Sequence, residues 1–362
     1  MKIIFDQQIF TKQKYGGISR YIFELSKNLN DIGQDVRILA PIHINSYIKN
    51  HQNNIGVYLE GYPRFTKRIF RNSNFIASKM YFRNQAKKPD ILHETYYSNQ
   101  SIAPSYIPKI ITVHDMIHEL FPENFPTQDK TSKIKKKAIQ RADHVICISE
   151  CTKKDLIRIL NVPENKISVV YHGISELTGD GYLYINSPFF LYVGQRKGYK
   201  NFEILLQAYA HSHFLRNNFR IIAFGGGAFT NEEYQLMSAL NLNLNSISQI
   251  SGDDGLLKSL YQQAIALIYP SLYEGFGFPP LEAMMYGCPT IAANASCIPE
   301  ITGDASLLFD PHSVDDLLEK IESILTNDMR IHLIKKGFIH HKKFTWEKCA
   351  RETLVSYQSV LK

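Results

Sequence analysis

Two carboxylates, Glu274 and Glu282, stand within residues 269–300 with seven residues between them. A short apolar run precedes them, two glycines of the loop permit positive φ angles, and a double proline suits the first turn of a helix. The pattern predicts a strand, a glycine loop and a helix, with both carboxylates near helix-start N–H groups that can bind an anion. An ordinary strand–turn–helix, in which Glu282 complements the helix dipole, is the alternative.

Cations follow another predicted strand, in the sequence Gly-Gln-Arg-Lys-Gly-Tyr-Lys-Asn of residues 194–201. Arg196 can hold a phosphate through two parallel hydrogen bonds, and Lys200 can act as a point charge. Groups of this kind suit a departing diphosphate, on which negative charge accumulates. Two surface cations in a loop are the simpler interpretation of these residues taken alone.

Two further loops follow predicted strands in the first half of the chain. Gly16 and Gly17 precede the first predicted helix, where backbone N–H groups could meet a phosphate or an acceptor, although a tight turn is the plainer alternative. His114 ends a strand, a position at which a histidine is more often structural than catalytic. Asp115 could orient that imidazole or cap the following turn.

The chain has 362 residues, 44% hydrophobic and 21% charged, which suits a globular protein of two domains. The sequence contains no stretch of about 18 consecutive apolar residues, so no transmembrane helix is expected. The first residues, MKIIFDQQIF, are typical of a strand and unlike a signal peptide, so we expect a cytoplasmic protein. The five scattered cysteines are expected to be free thiols.

Strands and helices alternate along both halves, as in doubly wound parallel sheets. In the second half, for example, a strand is predicted at Phe189–Val193, a helix at Phe202–His211 and a strand at Arg220–Phe224. Turn-forming residues in 179–187 suggest a linker there. The predicted domains are therefore residues 1–178 and 188–345.

The net charge of +7 is unevenly distributed. Residues 61–88 hold eight basic and no acidic side chains, interleaved with aromatic ones. Such a stretch favours an anionic membrane surface, at about 1 kcal/mol per close cation, and a nucleic-acid surface or a solvated helix face are the alternatives. A second basic run, residues 130–141, is interpreted as a solvated helix face. The cations of the first stretch are Arg64, Lys67, Arg68, Arg71, Lys79, Arg83, Lys87 and Lys88.

The string YEGFGFPPLEAMMYGCPTIAANASCIPEI resembles the Glu-x7-Glu segment of retaining glycosyltransferases of family four. The similarity covers the carboxylate spacing, the Gly-Phe-Gly core, the Pro-Leu-Glu-Ala-Met helix and the later Pro-Glu. It implies the GT-B fold, an α/β architecture of two Rossmann-like doubly wound domains facing a central cleft. In that family the last helix, here residues 346–362, packs back on the first domain.

The resemblance also implies roles for individual residues. Glu282 matches the carboxylate that holds the ribose hydroxyls, and His114 matches a histidine that reaches the donor sugar. The triglycine at residues 225–227 matches a turn near the nucleotide. The implied catalytic residues are His114, Glu274, Arg196 and Lys200, and the implied donor-binding residues are Gly17, Gly275, Phe276, Gly277, Phe278 and Glu282.

Residues 114–126, HDMIHELFPENFP, look like a subfamily of bacterial mannosyl- and related transferases that build surface polysaccharides of the O-antigen and lipopolysaccharide type. The resemblance implies GDP-mannose as donor, with dTDP-rhamnose or a UDP-sugar as alternatives. It implies a lipid-linked oligosaccharide, such as an undecaprenyl-diphosphate-linked glycan, as acceptor. The protein would then work on the inner face of the plasma membrane, peripherally attached and without a nucleic-acid partner.

No Asp-x-Asp motif follows a predicted strand, so neither a metal nor another cofactor is expected. Three other classes of protein remain as alternatives. A glycosidase would use two carboxylates without a diphosphate clamp. A GT-B phosphorylase would need a pyridoxal-phosphate lysine, and a non-catalytic protein would bind a sugar nucleotide or a nucleic acid.

Overall fold

The structure, a computed structural model, describes residues 1–84 and 88–361. Lys87 of the predicted membrane stretch and Lys362 of the predicted last helix lie outside these residues. The chain divides into two compact units, Met1–Gly173 with Phe344–Lys362, and Ile174–Lys343. Within the described residues, no helix has both the length and the apolar character needed to cross a bilayer.

The first unit is built on a parallel sheet of seven strands in the order β3-β2-β1-β4-β5-β6-β7. Its strands are β1 Lys2–Phe5, β2 Asp35–His43, β3 Asn54–Tyr58, β4 Ile91–Glu94, β5 Lys109–Val113, β6 His144–Cys147 and β7 Ile167–Val169. Its helices are α1 Gly17–Asp31, α2 Lys67–Asn84, α3 Ile117–Leu120, α4 Thr131–Arg141 and α5 Glu150–Leu160. The central strands are buried on both faces, as expected where helices cover a parallel sheet.

The second unit repeats this architecture with a six-stranded sheet in the order β10-β9-β8-β11-β12-β13. Its strands are β8 Phe189–Val193, β9 Arg220–Phe224, β10 Ile247–Ile250, β11 Ala266–Tyr269, β12 Thr290–Ala293 and β13 Ser306–Phe309. Its helices are α6 Phe202–His211, α7 His213–Asn218, α8 Asn231–Ala239, α9 Asp254–Gln263, α10 Phe278–Met285, α11 Ile298–Thr302, α12 Val314–Ile324 and α13 Asn327–His340. In each sheet the strand order reverses beside the first strand, between β1 and β4 and between β8 and β11, and such switch points are where open α/β sheets bind ligands.

The last helix, α14 Trp346–Ser359, belongs to the first unit. Its Trp346 and Tyr357 are buried in the same apolar cluster as strand β1 and helix α1. Tyr357 also bonds to His93 at the end of β4, with 2.6 Å between its hydroxyl and Nδ1. The helix is therefore fixed to the first unit by both apolar and polar contacts.

The boundary between the units falls between Gly173 and Ile174, five residues before the predicted end of the first domain. Residues 179–187, the predicted linker, lie inside the second unit. The Leu183 carbonyl accepts hydrogen bonds from Ser259 and Gln263 of α9, and Gly181 lies so close to Asp253 that a Cβ would clash with its carboxylate. The glycines that suggested a linker serve instead to bring this segment close to α9.

A buried carboxylate joins the ends of β1 and β4. One oxygen of Asp6 accepts hydrogen bonds from the Thr95 amide at 2.9 Å and the Thr95 hydroxyl at 2.7 Å. Burial, and then the negative charge of Glu94, raise the pKa of Asp6 to about 7. Glu94 itself is paired with Arg141, 2.6 Å from carboxylate to guanidinium.

The raised pKa of Asp6 predicts a pH-dependent stability. Because the folded pKa lies above the unfolded value of 3.8, this group stabilises the fold at low pH, and the stabilisation is lost as pH rises towards 7. Between pH 5 and pH 7 the loss is roughly 2 kcal/mol at 1.36 kcal/mol per pKa unit. Asp6→Asn keeps the accepting oxygen without the titration, so its thermal midpoint should fall less over this range than that of the wild type.

Asp315→Asn, at an exposed position, is the control and should follow the wild type. Equal slopes of thermal midpoint against pH for Asp6→Asn and the wild type would contradict the prediction.

Candidate active site

The glycine loop after β11 is held by residues that follow β12. The Ser296 hydroxyl donates to the Glu274 carbonyl at 2.7 Å, and the buried Cys297 thiol lies 3.1 Å from the same oxygen. At the end of the loop Gly277 has a φ of +97°, which favours glycine and turns the chain into α10. The loop is therefore a fixed part of the second unit.

Lys200 and Glu274 form an ion pair at the switch point of the second sheet. Lys200 follows β8 and Glu274 follows β11, which are adjacent strands, and 2.6 Å separates Nζ from Oε1. The pair is largely buried, with 20% and 10% of the two side chains exposed. Tyr269 also hydrogen-bonds to the Glu274 carboxylate. A cation and a carboxylate are thus brought together where a ligand of an α/β sheet is expected.

Glu282 was predicted near the N–H groups at the start of its helix, and that placement is wrong. Helix α10 begins at Phe278, before both prolines, so Glu282 is its fifth residue. The two prolines also remove two of the N–H groups that a helix start would offer an anion. The Glu282 carboxylate instead accepts a hydrogen bond from the buried Tyr261 hydroxyl at 3.1 Å, which fixes its position in the second turn.

Arg196 is buried and binds groups of its own unit. Its Nε lies 2.7 Å from a Glu233 oxygen, and its side chain is 2% exposed. Its terminal nitrogens donate to the carbonyls of Gly225, Gly227 and Ala228 at 2.9 to 3.1 Å. In this structure Arg196 therefore organises the loop after β9.

The triglycine loop depends on this arginine. All three glycines have φ between +71° and +84°, and a Cβ on Gly226 would lie 2.7 Å from an Arg196 nitrogen. Glu233 is also the partner of Thr230 in a capping box at the start of α8. Glu233 was not predicted as a site residue, although the Thr-x-x-Glu spacing of residues 230–233 is a recognisable helix-start pattern.

His114, in the first unit, follows β5 and is buried. Burial lowers its pKa to about 4, so its imidazole is neutral at pH 7. Within residues 1–84 and 88–361 its Nε2 atom is buried without a hydrogen-bond partner. A neutral imidazole with an unused ring nitrogen can bond to a hydroxyl group. The role that the family resemblance implies for His114 stays a prediction.

Asp115 caps the turn after His114, because its carboxylate accepts a hydrogen bond from the Ile117 amide at 3.0 Å. Lys135 of α4 donates to the Asp115 carbonyl at 2.9 Å and pairs with Glu119 at 2.7 Å. Lys135 is fully buried, so the solvated face predicted for residues 130–141 is wrong at this position. The interpretation fits Lys133, Lys136 and Lys137, which are exposed.

Gly17 is the first residue of α1. A Cβ at Gly17 would meet no atom within 4 Å, so the helix start leaves open space there. At Gly16, by contrast, a Cβ would lie 2.5 Å from the Gln13 side chain, so this position has no open space. Of the predicted catalytic residues, the structure brings Lys200 and Glu274 into contact, pairs Arg196 elsewhere in the same unit, and places His114 in the other unit.

Comparison with known proteins matches each half of the chain to a glycosyltransferase family model. Residues 15–176 match the model described as Glycosyltransferase Family 4, and residues 182–339 match the model described as Glycosyl transferases group 1. Together they span most of the chain. The protein belongs to the family four glycosyltransferases.

A relative that covers the full length agrees with this assignment, and solved structures of low identity share the fold. The chain is 27% identical to the O-antigen chain mannosyltransferase B of Escherichia coli, with 99% of this chain and 100% of that protein covered. The sucrose-phosphate synthase of Thermosynechococcus elongatus has a TM-score of 0.73 at 19% identity, with 99% of both chains covered. Anabaena Alr3699/HepE, solved with UDP and glucose, also has a TM-score of 0.73, at 17% identity with 99% and 100% covered. The fold of this glycosyltransferase is GT-B, as predicted.

The pairing of Arg196 predicts that this residue is needed for stability. Arg196→Ala should lower the free energy of unfolding of the second unit by about 3 kcal/mol, because Glu233 and three carbonyls lose their partner. Equilibrium urea denaturation measures this, and the exposed Lys197→Ala is the matched control. A double-mutant cycle with Glu233→Ala should give a coupling energy of about 1–3 kcal/mol. A loss below about 0.5 kcal/mol for Arg196→Ala would mean that the buried pair contributes no more than a surface charge.

Proposed function

We propose that this glycosyltransferase moves a mannosyl residue from GDP-mannose to a lipid-linked glycan in surface-polysaccharide synthesis, with retention of configuration and without a metal ion. The observation that carries the proposal is the Lys200–Glu274 ion pair at the carboxyl ends of β8 and β11. A cation at that point can meet a diphosphate, and a carboxylate beside it can meet the sugar that the diphosphate carries. The absence of an Asp-x-Asp motif from the sequence supports metal independence.

The choice of donor rests on the relatives. The Escherichia coli protein that matches the whole chain is named a mannosyltransferase of the O-antigen chain, which supports mannose and a glycan acceptor. The Anabaena structure contains UDP and glucose, so a UDP-sugar is the alternative donor, together with dTDP-rhamnose. The nucleobase is poorly determined by the sequence, because members of this family hold the base largely through backbone groups.

In the proposed mechanism a phosphate oxygen takes the place of Glu274 beside Lys200. Negative charge grows on the diphosphate as the glycosidic bond breaks, so a positioned cation stabilises the transition state more than the ground state. Glu274 is then available to the sugar hydroxyls, while Glu282, positioned by Tyr261, accepts hydrogen bonds from the ribose. A diphosphate oxygen takes the proton of the acceptor hydroxyl on the face from which the diphosphate leaves, which gives retention.

Thermal denaturation in the presence of different nucleotides and nucleotide sugars tests which donor the protein binds. Binding at 100 times the dissociation constant adds about 2.7 kcal/mol of stability, which raises the midpoint of a domain of this size by roughly 5–10 °C. GDP and GDP-mannose should give this shift in the wild type, and Glu282→Ala should reduce it. Lys258→Ala, a change at a lysine of α9, is the control. No shift with any nucleotide of the GDP, UDP and dTDP series would refute the proposed function.

The same preparation tests the reaction itself. GDP-mannose and a short-alkyl mannoside should give a product with the α configuration of the donor. The one-bond coupling between C1 and H1, measured by NMR, identifies this configuration. Activity should be unchanged in EDTA. Its loss in EDTA and recovery with Mn²⁺ would contradict metal independence, and a β product would contradict retention.

Helix α2 carries an apolar stripe that supports attachment to a membrane. Ile69, Ile76 and Met80 recur at spacings of seven and four, so they share one helix face, and each is more than half exposed. Phe65, just before the helix, is 87% exposed. Exposed cations flank the stripe, and a basic helix with an exposed apolar face suits an anionic lipid surface.

Loss of this stripe should weaken vesicle binding. The triple change Ile69→Ser, Ile76→Ser and Met80→Ser should lower the partition coefficient into phosphatidylglycerol vesicles at least about tenfold, because each side chain contributes roughly 1 kcal/mol on burial. Co-sedimentation at low salt measures it, with Ile331→Ser, an exposed apolar residue of the second unit, as control. Failure of the wild type to sediment with these vesicles would end the membrane proposal.

A further inference from the structure

A cavity of about 390 Å³ lies in the first unit, at the carboxyl ends of β1 and β4. The strand order of the first sheet reverses between these two strands, so the cavity occupies the place where a sheet of this kind binds a ligand. Its walls come from the loops after the two strands and from helix α2. They include Gln8, Lys12, Arg71, Asn72, Tyr97 and Ser98.

Two exposed cations in this wall, Lys12 and Arg71, have no ion-pair partner among the residues that the structure describes. The Lys12 ammonium lies 4.1 Å from the centre of the Tyr96 ring. Desolvation lowers the pKa of Lys12 to about 8, and the positive charges of Lys67 and Arg71 add to this shift. The negative charges of Asp6 and Asp129 oppose it. Cations that repel one another at the wall of a polar cavity are stabilised when an anion enters it.

The face of helix α2 that lines the cavity is hydrogen-bonded to neighbouring parts of the first unit. The Asn74 side chain exchanges two hydrogen bonds with the backbone of Ile42, at 2.7 and 2.8 Å, and the Ser78 hydroxyl donates to the Gln7 side chain at 3.2 Å. Arg71, Asn74 and Ser78 are spaced by three and four residues and therefore share one helix face. The cavity wall is thus a positioned element of the fold.

The apolar stripe of Ile69, Ile76 and Met80 lies on the face of α2 opposite to Asn74 and Ser78, at 100° per residue. If the stripe rests on lipid, the cavity lies about one helix diameter, roughly 10 Å, from the lipid surface. An amphipathic helix buries its apolar face roughly 5–10 Å into the headgroup region, so a cavity on the opposite face of α2 would lie near the level of the lipid phosphates. The positive charge of the cavity and its distance from the apolar stripe both favour the phosphate of a membrane-anchored molecule as ligand.

We propose that this cavity binds the phosphate of the lipid-linked acceptor, with Lys12 and Arg71 as its cationic ligands. The inference rests on the proposed function, because it takes the acceptor of that reaction as the ligand. Arg71 can hold two phosphate oxygens at once, and Lys12 provides a point charge. The amide of Asn72 lines the same cavity and can bond to a sugar hydroxyl next to the phosphate.

Binding without donor tests this site separately from catalysis. Hexyl mannosyl diphosphate and hexyl mannoside are titrated calorimetrically into the full-length protein, with GDP in excess to occupy the donor site. Lys12→Met and Arg71→Met should each raise the dissociation constant of the diphosphate about tenfold or more, since each removes a charge-assisted hydrogen bond. Affinity for hexyl mannoside should stay unchanged. Arg83→Met, on the last turn of α2 outside the cavity, is the matched control and should behave as wild type.

Each other outcome has one meaning. Equal affinity of wild type and both variants for the diphosphate would overturn the proposal, as would an equal loss for the phosphate-free mannoside. If the variants lose binding to phosphatidylglycerol vesicles but keep their affinity for the diphosphate, the cavity takes a phospholipid headgroup and the proposal is wrong. Diphosphate binding that depends on Lys12 and Arg71, without transfer from any nucleotide sugar, would support the site and refute the proposed reaction.

Discussion

The ion pair between Lys200 and Glu274 is the interaction on which the candidate donor site depends. Both charges are largely removed from water, so neither is stable there without the other or a substitute. In the proposed mechanism a bound diphosphate is such a substitute for Glu274, because it presents negative charge to the same cation. Donor binding would then exchange the partners of Lys200 within a site already built, and little reorganisation would be left for the moment at which the glycosidic bond breaks.

Arg196 is held by protein groups in the structure, and its predicted phosphate-binding role stays a prediction. Its location after β8 and its family resemblance suggested a phosphate-binding role, yet all its hydrogen bonds described above go to Glu233 and to the carbonyls of the loop after β9. A buried guanidinium must satisfy its donors in the free protein too. Only the folded structure shows that Glu233 meets this need, because Arg196 and Glu233 are far apart in sequence.

The sequence predicts buried elements well because their signal is local. The helix Phe202–His211 and the strand Arg220–Phe224 have the predicted bounds, as continuous apolar runs between clear turn residues would lead one to expect. The strands β3 and β13, which the sequence analysis did not identify, are both edge strands, and the half-exposed β3 lacks such a run. The error at Glu282 has a different cause. Prolines mark the beginning of a helix only to within a turn, and one added residue before them moved the carboxylate away from the helix start.

The two units apply one rule to different chemistry. Each sheet reverses its strand order beside its first strand, and each collects polar side chains at that point from loops that have no sequence in common. In the second unit the cation there is already paired with a carboxylate, whereas in the first unit Lys12 and Arg71 face a cavity without an acidic partner among the described residues. A paired cation favours an anion that can displace its partner, and an unpaired one raises the affinity for any anion of suitable shape. Selectivity at the proposed phosphate site must therefore come from the cavity walls more than from charge alone.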